Sequence, residues 1–407
     1  MSGANEASRR AGSEFVGAAA PFVTRSFVPH ERSSGTVWEG SRPPVCENDG
    51  VTSGPAAKTR PALSPLPEHP AVSYVMPVLN EAGHLGEAVN AVLSQEYPGE
   101  QELVLALGAS SDGTDEVAAA LAASDPRVRL VANPRNDIPI GLNLAIGASV
   151  NPVVVRVDAH AELPAGYTAA AVEILHRTGA ANVGGVMVAK GRGRFQRAVA
   201  RGYNSPFGLG GGSWHHGDEE LESDSAYLGV FRREVLDEVG GYDETLRRAE
   251  DWELNHRIRA AGHLILFTPK LKVTYWPRDN WDALRRQMYA TGVWRGHLVR
   301  RQRTTPWRYL PPPAVAVLVA ISVLVGLLQV FGVARGAGWA LAHVPSLGYL
   351  AGVTAVGVVR LGGDGVVDRL LNVVVLVTMH LGWGAGFIKG WLTGAATTVD
   401  RSRVNAG

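Results

Sequence analysis

Residues 153–163 read Val-Val-Val-Arg-Val-Asp-Ala-His-Ala-Glu-Leu. An apolar, β-branched run gives way to Asp158 and His160, two side chains able to ligate a divalent ion and set on one side of an extended segment. In open α/β sheets the carboxyl end of a buried strand is where ligands bind. The same Asp can also simply cap the helix that follows. The second chemistry-bearing pair is Glu250-Asp251, which opens the helical stretch 248–262. Leu254, Ile258 and Ala261 form its buried stripe and Gly262 ends it. Asp251 lies three residues before Leu254 and shares that inward face. An inward acid in a first turn is either a helix cap or a catalytic carboxylate, and helix statistics alone point to the cap.

The elements around these residues alternate. Strands are expected at 72–76, 103–107, 128–132, 153–157 and 183–188, and helices at 85–93, 112–123, 141–148, 164–177 and 234–239. Such alternation implies a mainly parallel, doubly wound sheet. Right-handed crossovers bring the loops after the strands to one edge. That edge collects Asn80, Glu81, Ser110, Asp112, Asn133, Arg135, Asp158 and His160. Arg135, Arg232 and Arg233 are each either phosphate contacts or arginines that flank the sheet. A nicotinamide-binding domain is excluded, because Pro77-Val78-Leu79-Asn80-Glu81 stands where a glycine-rich fingerprint would follow the first strand. The same segment lacks the glycine-rich basic loop of a nucleotidyltransferase. Residues 204–217 carry Gly208, Gly210, Gly211 and Gly212 before Trp214-His215-His216, which suggests a mobile lid on the substrate.

Net charge is +1 and Cys46 is the single cysteine, so no intramolecular disulfide framework or multi-cysteine metal site exists. Residues 1–70 are rich in Ser, Gly, Pro and Ala without a sustained period and are expected to be disordered. The apolar run 14–23 is too short for a signal peptide.

The order of motifs resembles that of the family 2 glycosyltransferases, of the succinoglycan-biosynthesis type. It comprises Pro77-x-x-Asn80-Glu81, Ser110-Ser111-Asp112-Gly113-Thr114, Asn143 in Gly-Leu-Asn-Leu-Ala-Ile-Gly, Asp158-Ala159-His160, the stretch 229–244 and Glu250-Asp251. The resemblance implies a glycosyltransferase A fold followed by membrane helices. It also implies a nucleotide-diphospho-sugar donor, Mn²⁺ or Mg²⁺ as cofactor, and inversion at the anomeric centre. Asp158 and His160 then stand at the metal-holding motif. Pro77, Asn80, Glu81, Ser110, Asp112, Arg135 and Asn143 stand on the donor side. Asp251, with Glu250 beside it, stands at the catalytic base, and a helix N-terminus is expected to keep it ionised. Two departures are visible. Leu107-Gly108 replaces an acidic pair that reads the base, and His160 replaces a second carboxylate, a change better tolerated by Mn²⁺ than by Mg²⁺.

The chain divides accordingly. Residues 71–275 are the expected catalytic domain. Residues 276–312 interleave arginines with aromatics, as in a helix lying on an anionic membrane surface. Nucleic acid is the rival partner for such a run, but a membrane span follows at once. Residues 313–391 contain three expected spans, at 313–333, 339–359 and 370–391, the last two interrupted by Pro345 and several glycines. A polar tail, 392–407, closes the chain. Arginines before the first span place the catalytic domain in the cytoplasm of a multi-pass protein of the cell membrane, where a lipid-linked or membrane-proximal acceptor would be met. Gln287-Met288-Tyr289-Ala290-Thr291 departs from the QxxRW of processive synthases, which suggests transfer of one sugar at a time. His343 and His380 fall inside the spans, either as functional groups or as neutral histidines bonded to a neighbouring helix.

Overall fold

The computed structural model describes residues 60–208, 219–303 and 307–395. Most of the expected N-terminal extension, the His215-His216 pair and residues 396–407 therefore lie outside the described residues. Residues 60–70, expected within that extension, instead pack on the domain. The Ser64 carbonyl accepts from Arg232 Nη1 at 2.7 Å, and the Tyr97 hydroxyl donates to the Pro70 carbonyl at 2.6 Å.

The strands are β1 (Val72–Val78), β2 (Gln101–Leu107), β3 (Val128–Ala132), β4 (Val153–Arg156), β5 (Asn182–Ala189), β6 (Leu221–Glu222), β7 (Tyr227–Arg232) and β8 (Ile265–Tyr275). They form one sheet in the order β3-β2-β1-β4-β7-β5-β8-β6. β1, β2, β3 and β4 are mutually parallel where they pair, as are β5 and β8, while β7 runs antiparallel to both β4 and β5. The sheet is thus mixed but mostly parallel. β8, the longest strand, has no counterpart among the expected strands.

The helices that cover the sheet are α1 (Leu85–Leu93), α2 (Thr114–Ser124), α3 (Ile138–Ala148), α4 (Tyr167–Thr178), α5 (Arg194–Tyr203), α6 (Arg233–Val239) and α7 (Glu250–Ala260). Both faces of the central strands are covered. Tyr74, Met76, Val153 and Val155 join Leu85, Val89 and Leu175 on one side. Val75 and Val154 join Leu142, Leu236, Leu254 and Ile258 on the other. Burial on two faces explains why β4 reads as an unbroken apolar run rather than an alternating one.

Beyond the sheet come α8 (Trp281–Gln302), α9 (Pro311–Val330), a 3₁₀ segment (Ala337–His343), α10 (Val344–Ala355), a π turn (Val356–Arg360) and α11 (Val366–Thr393). Among the described residues three stretches, Pro311–Val330, Ala337–Arg360 and Val366–Thr393, are long and apolar enough to cross a membrane. α8 packs lengthwise on α11 through glycines. A Cβ added to Gly292, Gly296, Gly386 or Gly390 would stand 2.1, 2.1, 2.1 and 1.9 Å from a carbonyl oxygen of the facing helix. The glycines that seemed to weaken the last span are what lets two backbones meet. Inside this region His343 bonds Ser322 at 2.8 Å and Gln329 at 3.1 Å, and His380 bonds Tyr349 at 3.2 Å.

Candidate active site

β1 has β2 on one side and β4 on the other, both parallel to it, so the strand order reverses there. Loops after the two strands diverge and leave a crevice at their carboxyl ends, the general ligand position in such sheets.

One wall of the crevice is built on Arg156, the last residue of β4. Its side chain is 6 % exposed, so an unpaired charge there would be prohibitive. Nη2 lies 3.3 Å from Asp158 Oδ1 and 3.3 Å from Glu250 Oε1, and Nη1 bonds Asp251 Oδ1. The guanidinium also lies 5.9 Å from the centre of the Tyr242 ring. Three carboxylates from two distant segments thus converge on one cation. Both capping alternatives fall away. The N-cap of α7 is Ala249 and that of α4 is Gly166, and neither helix has a side-chain cap bond.

Asp251 is not held ionised by its helix, contrary to expectation. Lost hydration is the largest influence and pushes its carboxyl up to about 7. Arg156 opposes that rise, while Glu250 and Asp158 add to it. A third of the Asp251 side chain still faces open space, so the group is ringed by protein yet reachable. Behind it, the fully buried Asn255 donates to the Asp251 carbonyl at 2.8 Å and accepts from Asn182 at 2.7 Å, which fixes the first turn of α7.

The opposite rim is interlaced by hydrogen bonds. Asn80, with φ 54°, accepts from the Ser111 backbone at 2.9 Å, and its own N–H donates to Ser110 Oγ at 3.1 Å. The Glu81 N–H donates to Thr114 Oγ1 at 2.8 Å. Asp112 accepts from Ala82 N at 3.2 Å and from the Thr114 hydroxyl at 2.5 Å, the latter being the main reason its carboxyl is held below the usual range. Pro77 lies in β1 just before this loop, and Gly108 is pressed between Leu79 and Asn136. Arg135 is exposed in the loop after β3.

Some sequence candidates have other tasks. Asn143 on α3 spends its whole amide on the turn before α7: Nδ2 donates to the Tyr242 carbonyl at 2.9 Å and Oδ1 accepts from the Tyr242 N–H at 2.9 Å. Arg232 donates to the Ala180, Ser64 and Leu175 carbonyls, and Arg233 to those of Asn151 and Ile146. Both are structural rather than phosphate contacts.

His160 Nδ1 lies 3.0 Å from Glu81 Oε1 and so bridges the wall and the rim. If Glu81 is the acceptor, Nδ1 carries the proton, and in the neutral tautomer Nε2 is then the nitrogen with a free lone pair. Metal-ligating histidines are commonly oriented in this way. Among the described residues no three His, Cys, Asp or Glu side chains form a ready ion cage. Asp158 and His160 therefore suit an ion that takes one or two protein donors and completes its shell with substrate phosphate and water, as Mg²⁺ commonly does.

A second concavity opens beside this centre. A groove of ≈ 410 Å³ is lined by Lys190, Arg197, Arg201 and Trp276, among others. The Trp276 indole donates to Glu162, in the loop that carries Asp158 and His160, at 3.0 Å.

Comparison with known proteins agrees with this architecture. A family model described as glycosyl transferase family 2 matches residues 73–240. The succinoglycan biosynthesis protein ExoA of Rhizobium meliloti (strain 1021) is 33 % identical over 316 residues, which is 77 % of this chain and 92 % of that one. Among solved structures, a mannosyltransferase of Pyrobaculum calidifontis in complex with GDP-Man and Mn²⁺ superposes with a TM-score of 0.55 at 20 % identity. That match covers 79 % of this chain and 87 % of the other, and it carries the glycosyltransferase A fold.

Proposed function

The chain belongs to glycosyltransferase family 2, and we propose that it moves one sugar, with inversion, from a nucleotide-diphospho-sugar to a lipid-linked or membrane-proximal acceptor. The observation that carries this reading is the meeting of Asp158, Glu250 and Asp251 on the buried Arg156. It supports a donor wall and a base wall held at a fixed spacing by one side chain.

Asp251 is the base. It takes the proton from the acceptor hydroxyl as that oxygen attacks the anomeric carbon. The bond from that carbon to the diphosphate oxygen breaks, and the diphosphate leaves with the electron pair. A carboxylate raised to about 7 suits this task, since a base works best with a pKa near the working pH. Arg156, itself held by Glu250, holds Asp251 in place, and Asn255 fixes the turn beneath it. Asp158 and His160 would hold Mn²⁺ or Mg²⁺, which when bound neutralises the leaving diphosphate as a Lewis acid. Pro77, Asn80, Glu81, Ser110 and Asp112 shape the nucleotide rim, with Arg135 beside it. Backbone groups there replace the acidic pair absent at Leu107-Gly108, so preference for a particular base rests on rim shape.

The acceptor enters from the membrane side. The cationic groove beside Glu162 supports an acceptor bearing phosphate, and the apolar helices after Tyr309 support anchoring in the cell membrane with the catalytic domain in the cytoplasm. Polysaccharide or glycolipid assembly is the corresponding role.

Thermal unfolding of the purified protein with a panel of nucleotide sugars, with and without Mn²⁺, tests the donor reading. One donor class should raise Tm, and only with the divalent ion. Equal shifts in excess chelator remove the metal role, and no shift with any nucleotide sugar removes the donor.

A further inference from the structure

α11 has the length and composition of a third membrane crossing, with 28 residues that include an 18-residue stretch of mean hydropathy 1.6. Its surroundings argue otherwise. Within 18-residue stretches, only 11 % of each of the two preceding candidate spans is buried, against 44 % in α11. Between residues 371 and 390 only Val374 and Ala385 are exposed. The cover comes largely from the catalytic domain and α8. Val375 and Met379 of α11 share one core with Met187 of β5, Ala198, Val199 and Tyr203 of α5, and Leu284 and Met288 of α8.

The polar bonds follow the same course. Arg201 Nε donates to Asn372 Oδ1 at 2.9 Å, and the Trp281 indole donates to Thr378 Oγ1 at 3.0 Å. His380 meets the Phe207 carbonyl at 2.7 Å, and Arg300 donates to the Leu392 carbonyl at 2.7 Å. From Asn372 to Leu392 is about 30 Å of helix at 1.5 Å per residue, which equals the hydrocarbon thickness of a bilayer. A crossing α11 would carry α5 and α8 into lipid along its whole length. With them would go Arg201, Arg285, Arg286, Arg295, Arg300 and Arg301. Irregular backbone and clustered arginines do not face hydrocarbon.

The two other apolar stretches meet α11 near their ends, and the second also at its middle, where Tyr349 lies 3.2 Å from His380. Gly384 packs against Pro312 at the start of α9. Asn372 and Arg369 donate to the carbonyls of Gly357 and Val358 at the close of the second stretch. Residues 331–336, which join the pair, contain one arginine and no lysine, whereas Arg300, Arg301 and Arg303 precede α9, Arg360 closes the return and Arg369 follows it. That is the bias expected when both feet share the arginine-rich side.

We propose that α11 lies along the membrane surface as part of the catalytic domain's core. α9 and Ala337–Arg360 are then the only crossings among the described residues. Gly394 and Ala395, just after α11, stand on the same side as Asp251.

Single-cysteine labelling in sealed membrane vesicles tests this without reference to activity. In the full chain with Cys46→Ser, a membrane-impermeant maleimide is applied to Glu116→Cys, Arg335→Cys, Val367→Cys and Leu392→Cys, all at exposed positions. Glu116→Cys, Val367→Cys and Leu392→Cys should react from one side and Arg335→Cys from the other. Leu392→Cys reacting together with Arg335→Cys overturns the proposal, because α11 then crosses. Arg335→Cys reacting together with Glu116→Cys also overturns it, because the hairpin then does not cross. A Val367→Cys or Leu392→Cys protein silent from both sides overturns the surface placement.

Discussion

The two sides of the crevice hold their polar groups by different means. On the β4 side, three carboxylates depend on Arg156, which is almost wholly buried. On the rim after β1, Asn80, Ser110, Asp112 and Thr114 bond mainly to one another and to backbone N–H groups, and most are half-exposed or exposed. Charges in a dry setting interact strongly and are costly when left alone, whereas a solvated network loses little when one bond goes. The β4 side is therefore the sensitive part, where proton affinity is tuned. The rim is a preorganised shape.

The sharpest way to separate the two is Asp251→Asn. It keeps the side-chain volume and removes the base. Turnover should fall by about 10²–10⁴-fold while the donor still shifts Tm; retained turnover would sink the base assignment. Next comes Arg156→Met, which leaves three carboxylates facing one another without a cation. Breaking a buried ion pair from one side costs about 3–5 kcal/mol, and urea denaturation should read a loss of that order. A loss under about 1 kcal/mol would mean that water already solvates the cluster and that the two sides do not differ.

Arg156 also marks where the sequence was hard to read. Strands β1 to β5 and helices α1 to α4, α6 and α7 were legible because burial on two faces leaves apolar runs and single-sided stripes. Arg156 stood inside such a run and was passed over as part of a strand. The available signal was its cost: a charge in Val-Val-Val-Arg-Val must be paired, and Asp158 and Glu250-Asp251 were the acids at hand. Asn143 shows the opposite case, since its motif is visible in the sequence while its bonds to the Tyr242 turn depend on long-range packing. β8 was missed because its central Thr268-Pro269-Lys270 interrupts the pattern where the pairing with β5 slips register.

The raised Asp251 gives the contrast a pH signature. Its pKa rises from 3.8 to about 7, so the proton-bound form predominates below about 7 and the base is then disabled. kcat/KM should fall about tenfold per unit below that point. Stability should move the other way. A carboxyl whose folded pKa lies above its unfolded value contributes stability at low pH that is lost as pH rises through the folded pKa. Across about pH 4 to 7, activity should climb while this contribution to stability declines, and Asp251→Asn should flatten the stability trend. Bound Mn²⁺ beside Asp158 adds positive charge and should shift the activity limb to lower pH. Stability rising with pH in that window, in wild type but not in Asp251→Asn, would show that Arg156 outweighs burial.

The rim should give the smallest response, and it can be resolved into parts. Asn80→Ala removes the bond accepted from Ser111 and also puts a residue poorly suited to φ 54° in that position. Asn80→Gly removes the same bond but accepts the backbone conformation freely. An ordinary hydrogen bond contributes about 0.5–1.5 kcal/mol, so Asn80→Gly should weaken donor binding by about tenfold or less, with kcat nearly unchanged. Asn80→Ala should lose somewhat more, and the difference between the two measures the strain alone. A drop in kcat rather than affinity in Asn80→Gly would mean that the Asn80 amide touches the reacting sugar, and the rim would then belong with Arg156 and its carboxylates.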